Sequence, residues 1–247
     1  TLSALAATTK KIRLGALVTS TSYRNPALLA KMVASVDIIS KGRVTLGIGA
    51  GWYQQEYEQY HFDYQEKAAE RIYRLEEAVR LIKTMWTEER ATYKGKYFDV
   101  RDAILEPKPV QKPHPPILIG GGGEQLTLRA VARVGDASNF IGDPQKVAHK
   151  YKVLKEHCDK EERDYAEIER TVLCNLLLGK TEASLRSRMN RLDAERYFTG
   201  SALTISEAVD LFGQYKDVGV QLLISSMYRN DEESLELLQS EIMQKIS

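Results

Sequence analysis

Short apolar segments alternate with amphipathic ones along this chain of 247 residues. Six apolar segments are predicted to be parallel-type strands, at 12–19, 43–49, 116–120, 137–141, 168–178 and 220–226. The predicted helices lie at 1–9, 25–41, 66–86, 125–134, 143–159, 181–191, 206–215 and 232–246. Strands separated by helices are typical of βαβ units with right-handed crossovers, so the pattern predicts an α/β protein with a parallel sheet.

The helix at 25–41 has a recognisable beginning and end. Pro26 lies in its first turn, where the missing N–H costs little. Gly42 follows its last turn, where glycine is a common stop signal. Helical spacing of apolar residues supports this helix and the one at 66–86. The residues with this spacing are Leu28, Leu29, Met32, Val36 and Ile39 in the first, and Ile72, Leu75, Val79, Ile82 and Met85 in the second.

The number of strands bears on the architecture. A closed (β/α)8 barrel needs eight strands and about 250 residues or more. Six predicted strands, and a chain that opens at Thr1 in the middle of a helix, indicate that the first two βα units lie upstream. Residues 91–106 are predicted to form a hairpin, and a proline-rich extended run follows. We therefore predict a single, N-terminally incomplete TIM (β/α)8-type barrel domain over 1–247, with an insertion at about 91–115.

The composition argues against several classes of function. With 35 basic and 34 acidic residues, the net charge of +1 favours neither a nucleic-acid partner nor an acidic membrane surface. Cys158 and Cys174 form no spaced pair, which argues against a disulfide framework or a zinc site and favours a reducing cytosol. No apolar run approaches the roughly 20 residues that span a bilayer. We therefore expect a cytoplasmic protein.

Two predicted strands run directly into glycines. Residues 47–51 are Gly-Ile-Gly-Ala-Gly, and residues 120–123 are four consecutive glycines. Glycine at the carboxyl end of a buried strand lets the backbone approach a ligand closely. Both ends predict a flat cofactor with a phosphate tail at the rim of a barrel, and tight strand–helix packing is the alternative. The dinucleotide fingerprint G-x-G-x-x-G fails because its sixth position is Trp52.

Three segments at predicted strand ends are candidates for phosphate binding. The glycines at 120–123 lead into a helix whose backbone N–H groups favour an anion, and a flexible hinge is the alternative. Ile141 and Gly142 precede Asp143, where a phosphate neighbour and an ordinary helix cap are both open. The hydroxyl residues at 19–22 are candidates for bonding a phosphate or a ring carbonyl, or for capping a turn.

Scattered histidines and arginines complete the candidates. His61 lies in the aromatic segment 52–62 and is a candidate for lining a pocket. Arg71 and Arg74 begin the next helix and are either solvated or in contact with phosphate or substrate. The absence of a metal-binding spacing and of a nucleophile elbow makes metal and hydrolase interpretations weak. The remaining histidines are His114, predicted to be structural, and His149 and His157, predicted to be solvated.

Three runs of the sequence together resemble one family. They are LSALAATTKKIRLGALVTSTSYRNPALLAKMVASVDIISKGRVTLGIGAGW, ERIYRLEEAVRLIKTMW and KGKYFDVRDAILEPKPVQKPHPPILIGGGG. The chain resembles the bacterial luciferase-like flavin and deazaflavin oxidoreductases, and it is most similar to the branch that uses the deazaflavin coenzyme F420. The resemblance covers essentially the whole chain. It implies a TIM-like barrel, a cofactor at its C-terminal rim and a homodimer.

The resemblance also implies site residues. A non-prolyl cis peptide is expected near Leu17 and Val18, behind the cofactor ring. The implied cofactor contacts are Leu17, Val18, Thr19, Gly49, Ala50 and Gly51 along the ring, and Gly120, Gly121, Gly122, Ile141 and Gly142 at the phosphates. The candidates for the substrate side are Tyr23, Trp52, Tyr53 and His61. No catalytic residue is assigned: the Asp-His pair of the deazaflavin branch would precede Thr1, and Trp52 stands where some members carry a glutamate.

These observations leave three hypotheses for the function. The leading one is hydride transfer between coenzyme F420 and a small organic substrate. An FMN-dependent monooxygenase is the alternative within the family, because both rings occupy the same cleft. A non-catalytic flavin-binding barrel, or a barrel fragment completed by another chain, is the third. The substrate is not identified, since pocket specificity in such barrels resides in the loops.

Overall fold

The computed structural model describes residues 1–246 of the chain. Its helices are α1 (Leu2–Thr8), α2 (Pro26–Ser40), α3 (Gln54–Gln59), α4 (Ala68–Thr87), α5 (Thr127–Val134), α6 (Pro144–Lys160), α7 (Glu182–Arg191), α8 (Ala194–Tyr197), α9 (Ile205–Asp217), α10 (Glu232–Leu237) and α11 (Met243–Ile246). Its strands are β1 (Leu14–Gly15), β2 (Thr19–Ser20), β3 (Val44–Gly49), β4 (Ala91–Lys94), β5 (Asp99–Ala103), β6 (Ile117–Gly120), β7 (Ala137–Phe140), β8 (Glu169–Gly179), β9 (Ser201–Thr204) and β10 (Leu222–Met227).

The chain divides into two compact units. The first contains residues 1–138 and 153–168, and the second contains residues 139–152 and the chain from Glu169 onward. The single barrel domain inferred from the sequence stays a prediction.

In the first unit, parallel strands surround β3. The strands β1, β3 and β6 lie side by side in that order, and β2 also pairs with β3. Ile48 lies opposite Thr19 of β2 and opposite Ile119 of β6. Ile48 and Ile119 are fully buried, as expected of parallel strands whose two faces are both covered.

The predicted strand at 12–19 is instead two short strands. Gly15 pairs with Thr45, and Thr19 pairs with Ile48. The chain advances four residues from Gly15 to Thr19 but only three from Thr45 to Ile48 on β3. Residues 16–18 therefore form a bulge beside β3. The apolar pattern concealed this interruption because the bulge residues are themselves apolar.

In the second unit, the long strand β8 pairs with two parallel strands. It pairs with β10 over Thr171–Leu176 and with β9 over Leu176–Gly179. The sequence prediction missed β9 and α8, which are each four residues long and carry no clear periodicity. The predicted helix at 232–246 is also interrupted, because a π-helical segment at Leu238–Ile242 separates α10 from α11.

The helices α2 and α4 pack against each other in the first unit. The predicted α4 face is confirmed, since Leu75, Val79, Ile82 and Met85 are buried and Ile72 is half-buried. On α2, however, the residues Leu28, Met32 and Ile39 are exposed. The buried small residue Ala30 allows close approach, and its carbonyl oxygen accepts a 3.0 Å hydrogen bond from the Trp86 indole nitrogen. The face of α2 that packs against α4 therefore includes small residues such as Ala30, whereas the sequence prediction assigned only large apolar residues to it.

One side chain, Glu77 of α4, holds the predicted hairpin of β4 and β5. Its carboxylate accepts hydrogen bonds from the backbone N–H groups of Lys96, Tyr97 and Phe98, at 3.0, 2.8 and 2.8 Å. Such contacts satisfy turn donors that no strand partner reaches. The antiparallel hairpin is confirmed, with Lys94 opposite Asp99.

A second carboxylate, Asp37 of α2, fixes the extended run after the hairpin. The residue is fully buried and accepts the backbone N–H groups of Val110 and Gln111 at 2.8 and 3.0 Å. It also accepts the Gln111 side-chain amide at 2.7 Å. A buried carboxylate is tolerated when several donors replace its lost hydration.

We predict that Asp37→Ala lowers the free energy of unfolding by about 3 kcal/mol, because three donors lose a charged acceptor. Chemical denaturation measures this change. Ser35→Ala, on the exposed side of the same helix, is the control and is expected to change stability by less than about 0.5 kcal/mol. Equal effects of the two substitutions would contradict the role of Asp37.

Candidate functional site

The bulge at residues 16–18 carries the expected cis peptide, which joins Leu17 to Val18. The bulge lies beside the carboxyl-terminal half of β3, which contains Gly47 and Gly49. Leu17 is partly exposed, with 40% of its surface accessible, and Val18 is half-buried.

Val18 packs directly against the glycines at the ends of β3 and β6. A Cβ atom on Gly49 would lie 2.8 Å from Val18 Cγ2, and one on Gly120 would lie 3.0 and 3.1 Å from the two Val18 methyl carbons. A Cβ atom on Gly47 would lie only 1.9 Å from the Ala16 carbonyl oxygen. Close packing of the bulge thus accounts for these three glycines. Their contact with a cofactor stays a prediction.

Gly51 has a separate requirement. Its φ angle is 78°, and a Cβ atom there would lie 1.7 Å from the Tyr57 hydroxyl and 2.6 Å from the Ser20 hydroxyl. Ser20 and Tyr57 share a hydrogen bond, and the Thr21 hydroxyl donates to the Gly49 carbonyl oxygen at 2.9 Å. Ser20 and Thr21 therefore hold the ends of β2 and β3 together. The Ser20 hydroxyl also accepts the Ser22 N–H at 3.4 Å, so the alternative that these hydroxyl residues cap a turn is confirmed for Ser20.

The two candidate arginines also hold loops. Arg71 donates to the carbonyl oxygens of Gly51, Gln65 and Glu66 at 3.0, 2.5 and 2.9 Å. Arg74 forms an ion pair with Asp63. Arg71 therefore fixes the segment between β3 and α4, and the alternative that this guanidinium is simply solvated is wrong.

The predicted substrate-side residues differ in exposure. Trp52 is 80% exposed and Tyr53 is 47% exposed, and their ring centres are 5.4 Å apart. His61 is exposed as well. Tyr23 is half-buried and donates its hydroxyl hydrogen bond to Glu56 of α3. Glu56 was missed because a lone acid in a short polar helix carries no sequence signal.

The glycine run at 120–123 leads into α5. Gly121 has a φ angle of 124°, which side chains rarely adopt. The N-cap of α5, Leu126, provides no side-chain hydrogen bond, and the Leu128 N–H in the first turn donates to the Gly123 carbonyl oxygen at 3.0 Å. Phosphate binding by this segment stays a prediction. The prediction that His157 is solvated is wrong, because its Nε2 atom donates to the Glu124 carbonyl oxygen at 2.8 Å.

In the second unit, Ile141 and Gly142 follow β7. Ile141 is exposed, and the Gly142 carbonyl oxygen accepts a 2.8 Å hydrogen bond from the Tyr215 hydroxyl. Asp143 caps α6 by accepting the Lys146 N–H at 2.9 Å, which lowers the pKa of its carboxyl. Burial raises the pKa of Tyr215 to about 12.

Two further observations concern metals and membranes. Within residues 1–246, no group of three or more His, Cys, Asp or Glu side chains is placed to hold a metal ion. In the same range, no helix combines the length and the apolar character needed to cross a membrane. Both cysteines are buried, and burial raises the pKa of each thiol.

We predict that Gly49→Ala destabilises the protein by about 1–3 kcal/mol and that adding Val18→Ala recovers part of this loss. Denaturation of the two single variants and the double variant measures the coupling. Gly47→Ala is expected to be more damaging and not to be rescued, because its clash is with the Ala16 backbone. Gly213 has no atom within 4 Å of its Cβ position, so Gly213→Ala is the matched control.

We predict that Tyr215→Phe costs about 1 kcal/mol, through loss of the bond to Gly142. Because its folded pKa lies above the ordinary value of 10.0, Tyr215 stabilises the fold below pH 10 and loses this contribution as the pH rises through about 12. The variant should therefore show a smaller alkaline loss of stability than the parent. Tyr197→Phe, at an exposed tyrosine, is the control, and an unchanged alkaline profile in Tyr215→Phe would refute the assignment.

The amino-acid sequence is similar to those of several known proteins. The chain is 32% identical over 209 residues to an F420-dependent glucose-6-phosphate dehydrogenase of Kineococcus radiotolerans, covering 82% of this chain and 58% of the relative. It is 35% identical over 133 residues to an FMNH(2)-dependent dimethylsulfone monooxygenase of Pseudomonas putida, covering 54% and 36%. The chain spans about half the length of the curated relatives it matches.

Solved structures show the same fold. The coenzyme F420-dependent tetrahydromethanopterin reductase of Methanopyrus kandleri superposes with a TM-score of 0.83 at 17% identity, covering 100% of this chain and 86% of that one. The predicted α/β fold of the TIM-barrel type is therefore confirmed. The model of the family described as luciferase-like monooxygenase matches residues 1–245. This chain belongs to the luciferase-like monooxygenase family.

Proposed function

We propose that this chain is part of an oxidoreductase that transfers a hydride between the deazaflavin coenzyme F420 and a small organic substrate. The observation that carries this proposal is the packing of Val18 against Gly49 and Gly120. It brings one apolar side chain and two side-chain-free positions together at the carboxyl ends of neighbouring strands, which is where α/β barrels bind their ligands.

The residues present fit a flat ring. The partly exposed Leu17 offers an apolar contact, and Val18 limits how closely a ring can approach the strands. The remaining ring contacts in this proposal are Thr19, Gly49, Ala50 and Gly51. When bound, the deazaflavin supplies hydride chemistry at a ring carbon, and the protein positions it and excludes water.

The glycine run fits the phosphate end of the same cofactor. Gly121 adopts a backbone conformation that favours glycine, and α5 begins without a side-chain cap. Backbone N–H groups at such a start favour a phosphate. Gly120 and Gly122 complete this proposed contact, and the assignment of Ile141 and Gly142 to phosphate remains a separate prediction.

The names of relatives support both cofactors. The relatives named F420-dependent glucose-6-phosphate dehydrogenase favour F420 as the cofactor of this chain, and the match to one of them extends over 82% of it. The FMNH(2)-dependent dimethylsulfone monooxygenase matches over 54% of it and keeps FMN as the alternative. A homodimer and a cytoplasmic location remain predictions from the family resemblance and the composition. The proton donor remains unassigned.

Titration of the purified chain with coenzyme F420 and with FMN, followed by fluorescence, tests the proposal. We expect F420 to bind more tightly than FMN. Leu17→Ala should weaken F420 binding roughly fivefold to thirtyfold, because an apolar contact of about 1–2 kcal/mol is lost. Leu28→Ala removes another exposed leucine, on α2, and should leave the affinity unchanged.

The outcomes separate the three hypotheses. Tighter binding of FMN, with oxygen consumption by the reduced flavin, would favour a monooxygenase. Binding of neither cofactor would refute the catalytic proposal for this chain and favour a non-catalytic role. An equal loss of F420 affinity in Leu17→Ala and Leu28→Ala would show that Leu17 makes no specific contact with the cofactor.

A further inference from the structure

A carboxylate joins the two loops that follow β2 and β3. Tyr23 ends the short 3-10 turn Thr21–Tyr23 after β2, and Glu56 lies in the first turn of α3 after β3. The Tyr23 hydroxyl donates a hydrogen bond to the Oε2 atom of Glu56. Because β2 and β3 are paired and parallel, both residues lie at the edge of the sheet where ligands bind.

The Tyr57 side chain lies between the Tyr23–Glu56 pair and Gly51. The rings of Tyr23 and Tyr57 have their centres 5.5 Å apart. The Tyr57 hydroxyl in turn lies 1.7 Å from the position of a Cβ atom on Gly51. A ligand that reaches Gly51 therefore comes within reach of the loop that carries Glu56.

Glu56 retains capacity for another hydrogen bond. Burial, and then the bond to Glu56, raise the pKa of Tyr23, so its phenol stays protonated and acts as the donor. The hydrogen bonds of residues 1–246 engage Glu56 Oε2 and assign no donor to its Oε1 atom. A carboxylate is an acceptor with room for several donors, and half-burial makes such a bond stronger than it would be in water.

The surroundings restrict the chemistry of the ligand. A negatively charged group is repelled by the Glu56 carboxylate, and the Arg71 guanidinium at the Gly51 carbonyl oxygen repels a cation. A neutral hydrogen-bond donor meets neither repulsion. The exposed rings of Trp52 and Tyr53 offer flat apolar contact area on the same loop. A neutral compound with a ring and a hydroxyl group satisfies all three conditions.

We propose that Glu56, oriented by Tyr23, determines substrate specificity by accepting a hydrogen bond from the hydroxyl group of a neutral organic substrate that lies against Trp52 and Tyr53. The inference rests on the proposed function, because it names the substrate class of that same site. It also gives a role to a carboxylate that lies four residues after Trp52 in the sequence.

Four probes with a common ring test the proposal: cyclohexanol, cyclohexyl methyl ether, cyclohexanecarboxylate and cyclohexylammonium. Their binding to the full chain, with and without added coenzyme F420, is measured by ligand-observed NMR. The parent is expected to bind cyclohexanol about tenfold more tightly than each of the other three, since only the alcohol is a neutral donor.

Matched variants identify the acceptor. Glu56→Gln keeps the shape but removes the charge, and it should reduce the tenfold preference over the ether to about twofold. Tyr23→Phe should reduce it severalfold, because the carboxylate loses its orienting donor. Glu58→Gln makes the same charge change on the same helix, at an exposed residue, and should leave the preference intact.

The inference would be overturned if Glu56→Gln and Glu58→Gln kept the same preference for cyclohexanol over cyclohexyl methyl ether. It would also be overturned if cyclohexylammonium bound more tightly than cyclohexanol, or if cyclohexanol did not bind. The cofactor titration keeps the two proposals apart. If F420 binds and the preference for the alcohol is absent, the specificity inference alone fails. If neither F420 nor FMN binds, the proposed function fails whatever the probes show.

Discussion

The steric fit of the bulge at residues 16–18 against β3 and β6 is the constraint on which the first unit depends. A backbone carbonyl and a β-branched side chain occupy the space that side chains at Gly47, Gly49 and Gly120 would need. Val18 has little freedom to rotate away, because its methyl groups branch at Cβ. Any displacement of the bulge would also move Ser20 and Thr21, and with them the bonds to Tyr57 and to the Gly49 carbonyl oxygen.

Charged side chains fix several segments of the first unit that lack regular secondary structure. Asp37 holds the extended run, and Glu77 holds the hairpin turn. Arg43 donates to the carbonyl oxygens of Ala6, Thr9 and Ile12, and so secures the end of α1. Each of these groups binds backbone atoms that would otherwise lack partners. Isolated charges of this kind are easily taken for catalytic groups, although their contacts are structural.

The carboxyl ends of β2, β3 and β6 combine a closely packed part with an exposed one. The glycines and Val18 pack closely against one another. The loop after β3 is different, because Trp52 and Tyr53 are exposed while Glu56 is anchored by Tyr23. Exposed loop side chains can differ without disturbing such packing, which is a general way for one fold to host different functions.

The sequence by itself determined the alternation of strands and helices, the ends of α2, the apolar face of α4 and the hairpin, because each depends on local periodicity or turn chemistry. It also located both glycine-ended strands, and the family resemblance placed the cis peptide at Leu17 and Val18. Only the tertiary structure decided why the glycines are needed, since Val18 is distant from Gly120 in sequence and adjacent in space. The same reason applies to Arg71, His157 and Glu56, because their partners come from other loops, and no local pattern records which loops meet.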